Sequence, residues 1–508
     1  MKQLKLLFIY IRSKLRQILL IFVNSIEKEM PKGIVFILII ASLLISLYLD
    51  AQKVTVSREI GIRNNYSYDV LPNIFDNIIF YHDKGIEHSF EIYDNNLRYK
   101  NTIQLDLEKK NIQPTGVLPM DSTFRFYYSY KDEDKVYFRV NVYDENVSLK
   151  DSSTLSVKDK KIINSNPRFA FSKDKSKVLI FTPDDKNLHL QLVNNITLKL
   201  IFDFTLMVKN VNLKSDFEEL LVTNSGEIYL LARKSSFWDR KDADGFTLIR
   251  IKDQSNILMH HFTPEKDKIS DLLMNYDEKN VRLALGGFIT ENDESKATGY
   301  FGFSINGDAM PEEAEILVNK FSPDFISEVT GKKTGKAKEI SDYRIKDILV
   351  RNDGGVIIIS ELVKEFTRRT QMIAPNQFGD YFPARGLVDY YHEDIILLST
   401  FPDGKEHWRK ILFKKQFSQD DNGIYSSYFV FKTPSRIRLI YNDEIKNSNT
   451  VSEYVFDPLG QFERKSVLST EYQNLKLRFR DAIQIGPSNL LVPSEKNSKI
   501  NLVRIDYD

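Results

Sequence analysis

The residue types best suited to chemistry are scattered along this chain. The seven histidines form no H-E-x-x-H or H-x-H arrangement, the close spacings at which a strand or helix presents two metal ligands. His260 and His261 are adjacent, so on a strand their side chains would point to opposite faces. The sequence has no G-x-S-x-G or Walker motif and no cysteine, which excludes thiolate nucleophiles and disulfides. We therefore predict structural roles for the histidines, and no catalytic set, metal site or cofactor.

Two groups of carboxylates still require an interpretation. DRKDADG places Asp242 and Asp244 before Gly245, a spacing at which carboxylates bind Ca²⁺. The loop lacks the EF-hand register, so a solvated hairpin tip is the favoured interpretation. Glu361 and Glu365 flank a long insertion, and paired carboxylates catalyse glycoside hydrolysis at suitable separations. Two glutamates among 70 acidic residues do not by themselves indicate that reaction.

The insertion itself is the strongest candidate for a contact surface. It lies between VIIISEL (356–362) and DIILLST (394–400) and is rich in aromatic and arginine residues, the types that dominate protein-binding hot spots. Long loops in compact domains are often functional. We predict a binding site centred on Tyr381, Phe382 and Arg385. The alternative is that the segment extends the two strands and packs its aromatic residues on the body.

The elements that position these residues are predicted to be β-strands. From residue 53 onward, apolar and polar residues alternate in short runs separated by Asn, Asp and Gly turns, as in KVYFRVNVYDEN (135–146). NSGE (224–227) and NDGG (352–355) are typical of tight hairpins. Helical periodicity is limited to two short candidates, PEEAEILVNKF (311–321) and KEISDYRIKDIL (338–349), and the second merges into a strand.

The strands group into eight clusters, near 68–105, 123–156, 168–200, 215–262, 269–320, 344–412, 427–468 and 478–508. This spacing is typical of propeller blades with insertions. Strands such as VIIIS are apolar on both faces, as expected between stacked blades, and Trp408 is predicted to pack there. KVTVSREIGI (53–62) and INLVRIDY (500–507) would pair in one blade and close the ring. We predict an all-β propeller of seven or eight blades over residues 52–508, with tandem β-sandwiches as the alternative.

A resemblance adds to this prediction. The segments NDGGVIIISE and DIILLSTFPDGKEHWRKILFKKQFSQDDNGIYSSY resemble uncharacterised exported propeller-like proteins of Bacteroidota. The similarity is specific only over residues 340–445. It implies an envelope location and a propeller-like fold, and it assigns no catalytic residues.

The pattern of charge and hydrophobicity in the first 51 residues predicts that the chain is exported. Sixteen uncharged residues, 34–49, follow Lys28 and Lys32 and end near Ala51. This run lies between the length of a signal peptide and that of a membrane-spanning helix. Met30 is an alternative start. Either a cleaved signal peptide or a retained anchor would place the body in the periplasm or cell envelope, with membrane contact only through the leader.

Composition narrows the class of partner. Residues 52–508 hold 64 basic and 67 acidic residues, so the body lacks the positive field that nucleic-acid binding requires. The favoured function is a non-enzymatic scaffold that binds an envelope protein or a cell-surface ligand. The alternative is an exported enzyme acting on carbohydrate or peptide, because propellers carry both kinds of function.

Overall fold

In the part of the chain that the structure describes, nearly all regular structure is β-strand, as the alternating sequence pattern predicts. The computed structural model describes residues 52–507 except 75, 121, 160–166, 185–186, 208–212, 214–215, 234–244, 265–266, 292, 294, 369–386, 434–435, 444, 446–449 and 470–473. The leader therefore lies outside the described residues. No described helix has the length and apolar character needed to cross a membrane. Residues 54–505 form one unit, and the description below concerns that unit.

The strands form eight sheets, which we name blades 1 to 8. Neighbouring strands are mostly antiparallel, but Glu313–Ile316 pairs in parallel with Asn256–Pro264. Blades 1 to 3 are Ser67–Ile74, Asn77–Asp83, His88–Asp94 and Tyr99–Gln104; Gln113–Pro119, Phe124–Asp132, Lys135–Tyr143 and Leu149–Asp159; and Arg168–Phe171, Lys177–Pro183, Asn187–Asn194 and Lys199–Met207. Blades 4 and 5 are Phe217–Val222, Ile228–Arg233, Phe246–Asp253, Asn256–Pro264 and Glu313–Ile316; and Lys268–Asp277, Arg282–Thr290, Gly299–Asn306 and Asn319–Lys320.

The second half of the ring follows the same plan with additions. Blades 6 and 7 are Tyr343–Val350, Val356–Arg368, Leu387–Thr400, Glu406–Leu412 and Gln416–Gln419; and Tyr428–Lys432, Ile437–Asn442, Thr450–Phe456 and Phe462–Ser469. Blade 8 is Ile483–Gln484, Asn489–Lys496, Lys499–Asp506, Lys53–Val56 and Ile60–Gly61. Lys296–Ala297 pairs separately with Ile340–Ser341.

This arrangement is an eight-bladed β-propeller, which confirms the predicted fold class and fixes the blade number. In blades 1 to 7 the sheet continues from the first strand in chain order. The first strands of successive blades from 1 to 6 lie side by side around the axis, which places them innermost. The outer strands Tyr99–Gln104 and Lys199–Met207 are mostly exposed, as expected for the rim of the ring.

Blade 8 combines the two ends of the propeller sequence. Three strands come from the C-terminal part, and the N-terminal strand Lys53–Val56 completes the sheet. Ser57 N–H donates to the carbonyl of Leu502 at 2.9 Å. The predicted pairing of the two terminal segments is therefore observed.

The core consists of apolar layers between neighbouring blades. The strand containing VIIIS shows the principle, because Val356 and Ile358 pack against blade 5 while Ile357 and Ile359 pack against blade 7. All four are at most 1% exposed, as the two-sided apolar pattern predicts. Trp408 also lies between blades 6 and 7, where its indole N–H donates to the carbonyl of Pro458 at 3.1 Å.

Both helix predictions were wrong, because residues 313–316 and 343–350 are strands. An α-helix lies instead at Pro323–Thr330, and its signals are local. Ser322 caps the N-terminus through the N–H of Phe325 at 3.3 Å, Pro323 occupies the first turn, and Gly331 ends the helix with φ of 65°. Pairing with blades 4 and 6 outweighed the weak helical periodicity of the two predicted segments.

Candidate binding surface

Blade 6 carries a hairpin that is longer than the rest of its sheet. Its strands Val356–Arg368 and Leu387–Thr400 have 13 and 14 residues, whereas the second and third strands of the other blades have six to nine. We call residues 363–368 and 387–392 the blade 6 arm. Its backbone pairing is continuous from Val363 opposite His392 to Arg368 opposite Leu387. The first part of the alternative, that the insertion extends the two strands, is thus observed.

The arm is supported on one side and exposes aromatic surface on the other. Gln416–Gln419 pairs with the arm as a third strand. Tyr391 contacts Phe417, with ring centroids 5.0 Å apart, and Phe366 at 5.8 Å, while Phe366 is 54% exposed. Arg368 forms an ion pair with the buried carboxylate of Asp389. The arm is therefore an ordered projection that presents apolar surface.

The predicted binding residues lie, in sequence, between the two strands of the arm. Tyr381, Phe382 and Arg385 fall within residues 369–386, outside the described residues. Their assignment stays a prediction. The calcium-loop candidates Asp242 and Asp244 also lie outside the described residues.

A buried polar network lies at the base of the arm, between blades 6 and 7. The Glu361 carboxylate accepts from the Lys414 ammonium at 2.8 Å, the Ser427 hydroxyl at 2.7 Å and His392 Nδ1 at 3.0 Å. Lys414 donates further to Gln416 Oε1 at 2.7 Å and to the carbonyl of His392 at 2.9 Å. Glu361 and Lys414 have fully buried side chains. The network joins two strands of blade 6 to the start of blade 7.

Electrostatics keep Glu361 ionised in this interior. Burial opposes its ionisation, but the Lys414 ammonium and the contacts with His392 outweigh burial and lower the pKa of Glu361 to about 2. Glu365, four residues later, is exposed on the arm. The two glutamates that flank the insertion thus occupy different environments. Glu361 is buried in a hydrogen-bonded network, whereas Glu365 lies at the surface.

Each histidine has a polar partner within the propeller. His260 is buried and its Nδ1 lies 2.7 Å from the carbonyl of Pro311, whereas His261 is exposed and contacts Thr247, so the two adjacent side chains diverge as predicted. The remaining contacts are His82 with Glu91, His88 with Tyr81, His189 with Thr205, His392 with Glu361 and His407 with Arg351. Within the described part of the chain, no three His, Asp or Glu side chains are placed to hold a metal ion.

A set of half-buried carboxylates lies on the innermost strands. Glu219, Asp271 and Asp347 each follow a β-bulge in the first strand of blades 4, 5 and 6. Each accepts a hydrogen bond from the next blade: Glu219 from Met274 N–H at 2.9 Å, Asp271 from Ile345 N–H at 2.7 Å, and Asp347 from the Tyr428 hydroxyl at 3.1 Å. Burial raises the pKa of Glu219 to about 7 against the lowering effect of its backbone hydrogen bond. These carboxylates link successive blades around the axis.

Two clefts between blades open on opposite faces of the ring. One, of about 440 Å³, lies between blades 6 and 7 at the turns after their first strands, with Arg351, Lys432 and Arg436 at its rim. The other, of about 490 Å³, lies between blades 1 and 8 where first strands begin, and includes Tyr68 and Arg478. The second cleft shares its face with the blade 6 arm, because second strands end where first strands begin.

Comparison with known proteins concerns the fold alone. No family model matches the sequence, and no curated protein matches it. Among solved structures, the chain is similar to the Dos1 propeller, at 11% identity over 89% of this chain and 95% of that one, with a TM-score of 0.46. It is also similar to the Nup133 β-propeller domain of Vanderwaltozyma polyspora, at 10% identity over 76% and 91% and a TM-score of 0.35. Prolyl oligopeptidase B of Galerina marginata matches at 12% identity, over 87% of this chain and 55% of that one, with a TM-score of 0.37.

Two groups of polar residues were missed at the sequence level. The inner carboxylates have a recognisable signal, since Asp69-Val-Leu, Glu219-Leu-Leu, Asp271-Leu-Leu and Asp347-Ile-Leu recur at the start of four clusters. The Glu361 network has none, because Lys414 and Ser427 are distant in sequence and meet only when blades 6 and 7 pack.

Proposed function

We propose that this chain is an exported envelope protein whose propeller binds another protein, with the blade 6 arm as the contact element. The arm carries this proposal. It extends beyond the blade that supports it, and it places the ring of Phe366 in solvent, beside the half-buried Tyr391, on a backbone fixed by three paired strands. Aromatic and arginine side chains on a rigid support lose little entropy on binding and bury a large area.

The surrounding architecture supports a binding role for the arm. The Glu361 network fixes the arm's base, because it joins both arm strands to blade 7 through fully buried groups. The adjoining segment is also tied down: Asp420 accepts from the N–H of Val388, and Tyr390 donates to Asn422. A preorganised element loses less freedom when a partner binds. The proposed export rests on the charge and length of the leader.

Photo-crosslinking in the native cell tests the contact element. A photoreactive amino acid at Phe366 should give a discrete adduct with an envelope protein identified by mass spectrometry. The matched control places the same photoreactive amino acid at Leu200, which is 44% exposed on the outer strand of blade 3. Combined replacement of Tyr381, Phe382 and Arg385 by Ala should reduce the Phe366 adduct at least fivefold and change the Tm by less than about 2 °C.

Two results would contradict the proposal. Equal adducts at Phe366 and Leu200 would mean that the arm contacts neighbours non-specifically. A large fall in Tm of the triple variant with an unchanged adduct would show that the three residues support the fold rather than a partner.

A further inference from the structure

The cleft between blades 6 and 7 has the size and the mixed composition of a small-molecule site. Its volume of about 440 Å³ lies within the range of ligand pockets. It opens on the face of the ring opposite the blade 6 arm, at the turns that follow the first strands of the two blades. Its lining includes the apolar residues Leu349, Ile357, Ile437, Pro458 and Leu459 and the charged residues Arg351, Asp353, Lys432 and Arg436.

The strand register shows that both walls of the cleft direct these side chains into it. On blade 7, Lys432 lies directly opposite Ile437, and side chains directly opposite each other in an antiparallel pair share one face. Ile437 packs against the apolar layer between blades 6 and 7, so the Lys432 side chain leaves its sheet on the side of blade 6. On blade 6, Leu349 lies opposite Ile357, and both belong to the same layer. The apolar layer therefore forms the floor of the cleft, and Lys432 lies at its edge.

Two of the three cations in the cleft have a counter-ion. Arg351 forms an ion pair with Asp353, and its guanidinium also donates to Ser399 Oγ at 2.9 Å. Arg436 forms an ion pair with Glu463 at 3.0 Å. Among the described residues that line the cleft, Asp353 is the single carboxylate, so the lining offers none to the third cation.

The third cation is Lys432. Its backbone N–H and carbonyl both contact Gln484 of blade 8, whereas its ammonium forms no ion pair or hydrogen bond with any described residue. Burial and, to a smaller extent, the charge of Lys173 lower the pKa of Lys432 against the attraction of Asp347, which lies beyond ion-pair distance. Lys432 is nevertheless exposed to solvent. A side chain that is exposed and yet desolvated by the protein around it lies in a concave part of the surface.

We infer that this cleft binds a small organic monoanion, whose carboxylate pairs with Lys432 and whose apolar chain lies on the floor between blades 6 and 7. A carboxylate supplies the acceptors and the single negative charge that the free ammonium lacks. The chain would cover Leu459, which is 65% exposed, and the half-buried Ile437, and removal of this apolar surface from water is favourable. The site is independent of the proposed protein contact, because the arm lies on the opposite face.

Ligand-detected NMR with hexanoate tests the inference on the purified full chain. Hexanoate should bind about tenfold more tightly than 1-hexanol, which has the chain without the charge, and than acetate, which has the charge without the chain. Lys432→Gln removes the charge from an exposed side chain and should weaken hexanoate binding about tenfold. Leu459→Ser removes exposed apolar surface and should weaken it about threefold, so the test does not depend on one variant.

A lysine outside the cleft provides the matched control. Lys279 is exposed in the corresponding turn of blade 5, on the same face of the ring, and its ammonium forms no ion pair with a described residue. Lys279→Gln should leave hexanoate binding unchanged. Equal weakening by Lys279→Gln, equal binding of hexanoate and 1-hexanol, or undiminished binding by folded Lys432→Gln and Leu459→Ser would each overturn the inference.

Discussion

Glu361 shows how a single buried charge depends on several strands. Its carboxylate and the Lys414 ammonium are both fully buried, which is unfavourable unless each group is paired and hydrogen-bonded. Here Ser427 and His392 complete the carboxylate's contacts, and Gln416 and a backbone carbonyl complete those of the ammonium. The network therefore tolerates the loss of one member poorly.

Replacing Glu361 by Gln should destabilise the protein by roughly 3–5 kcal/mol, because it leaves the Lys414 ammonium buried without a counter-charge. Chemical denaturation at pH 7 would measure this loss. Glu365→Gln, on the exposed arm, is the control and should change stability by less than about 0.5 kcal/mol. Equal changes in the free energy of unfolding for the two substitutions would show that the buried Glu361–Lys414 pair does not stabilise the fold.

The same pair predicts a pH dependence. In the folded protein the Lys414 ammonium and His392 outweigh burial and lower the pKa of Glu361 to about 2, from its ordinary value of 4.5. A depressed carboxyl pKa stabilises the fold fully above the unfolded pKa, and this stabilisation is lost as pH falls from about 4.5 towards 2. The difference in unfolding free energy between wild type and Glu361→Gln should therefore narrow across this acidic range.

At the scale of elements, the strands and hairpins could be predicted because their signals are local. Alternation, two-sided apolar runs and Asn-Gly turns each describe a strand or turn without reference to the rest of the chain. The repeated acidic residues on the innermost strands were not recognised because their donors belong to the following blade. The two helices were predicted wrongly from weak periodicity, while the stronger cap signals of Ser322, Pro323 and Gly331 were overlooked.

The leader is the element for which the sequence makes its sharpest prediction. Cleavage after Ala51 would leave the strand Lys53–Val56 whole, so the closing blade would retain its N-terminal strand. Intact-mass analysis of the protein purified from envelopes should then show a chain that begins at Gln52. Recovery of a chain that still contains residues 34–49 would instead identify the leader as a permanent anchor.

For the whole molecule, the closure of the ring was predictable because each end of the propeller sequence carries a strand pattern. The third strand of blade 8, Lys499–Asp506, lies between the second strand of that blade and the N-terminal strand. Its residues Ile500, Leu502, Val503 and Ile505 are fully buried. Ile500 and Leu502 also cover Phe80 and Tyr93 of blade 1. This strand thus joins both ends of the propeller sequence to the first blade.

Truncation after Ser498 should consequently destabilise all eight blades rather than only the last. The loss of four buried aliphatic side chains costs roughly 2–4 kcal/mol each. Their sum is comparable with the whole free energy of unfolding of a typical domain, about 5–15 kcal/mol. Circular dichroism melting should show an unfolded chain or a Tm at least about 15 °C lower than that of the full-length protein. Deletion of the ten residues 371–380 removes the same length from within the blade 6 insertion and should have little effect on Tm. A truncated chain that melts like the full-length protein would mean that the C-terminal strand does not hold the ring closed.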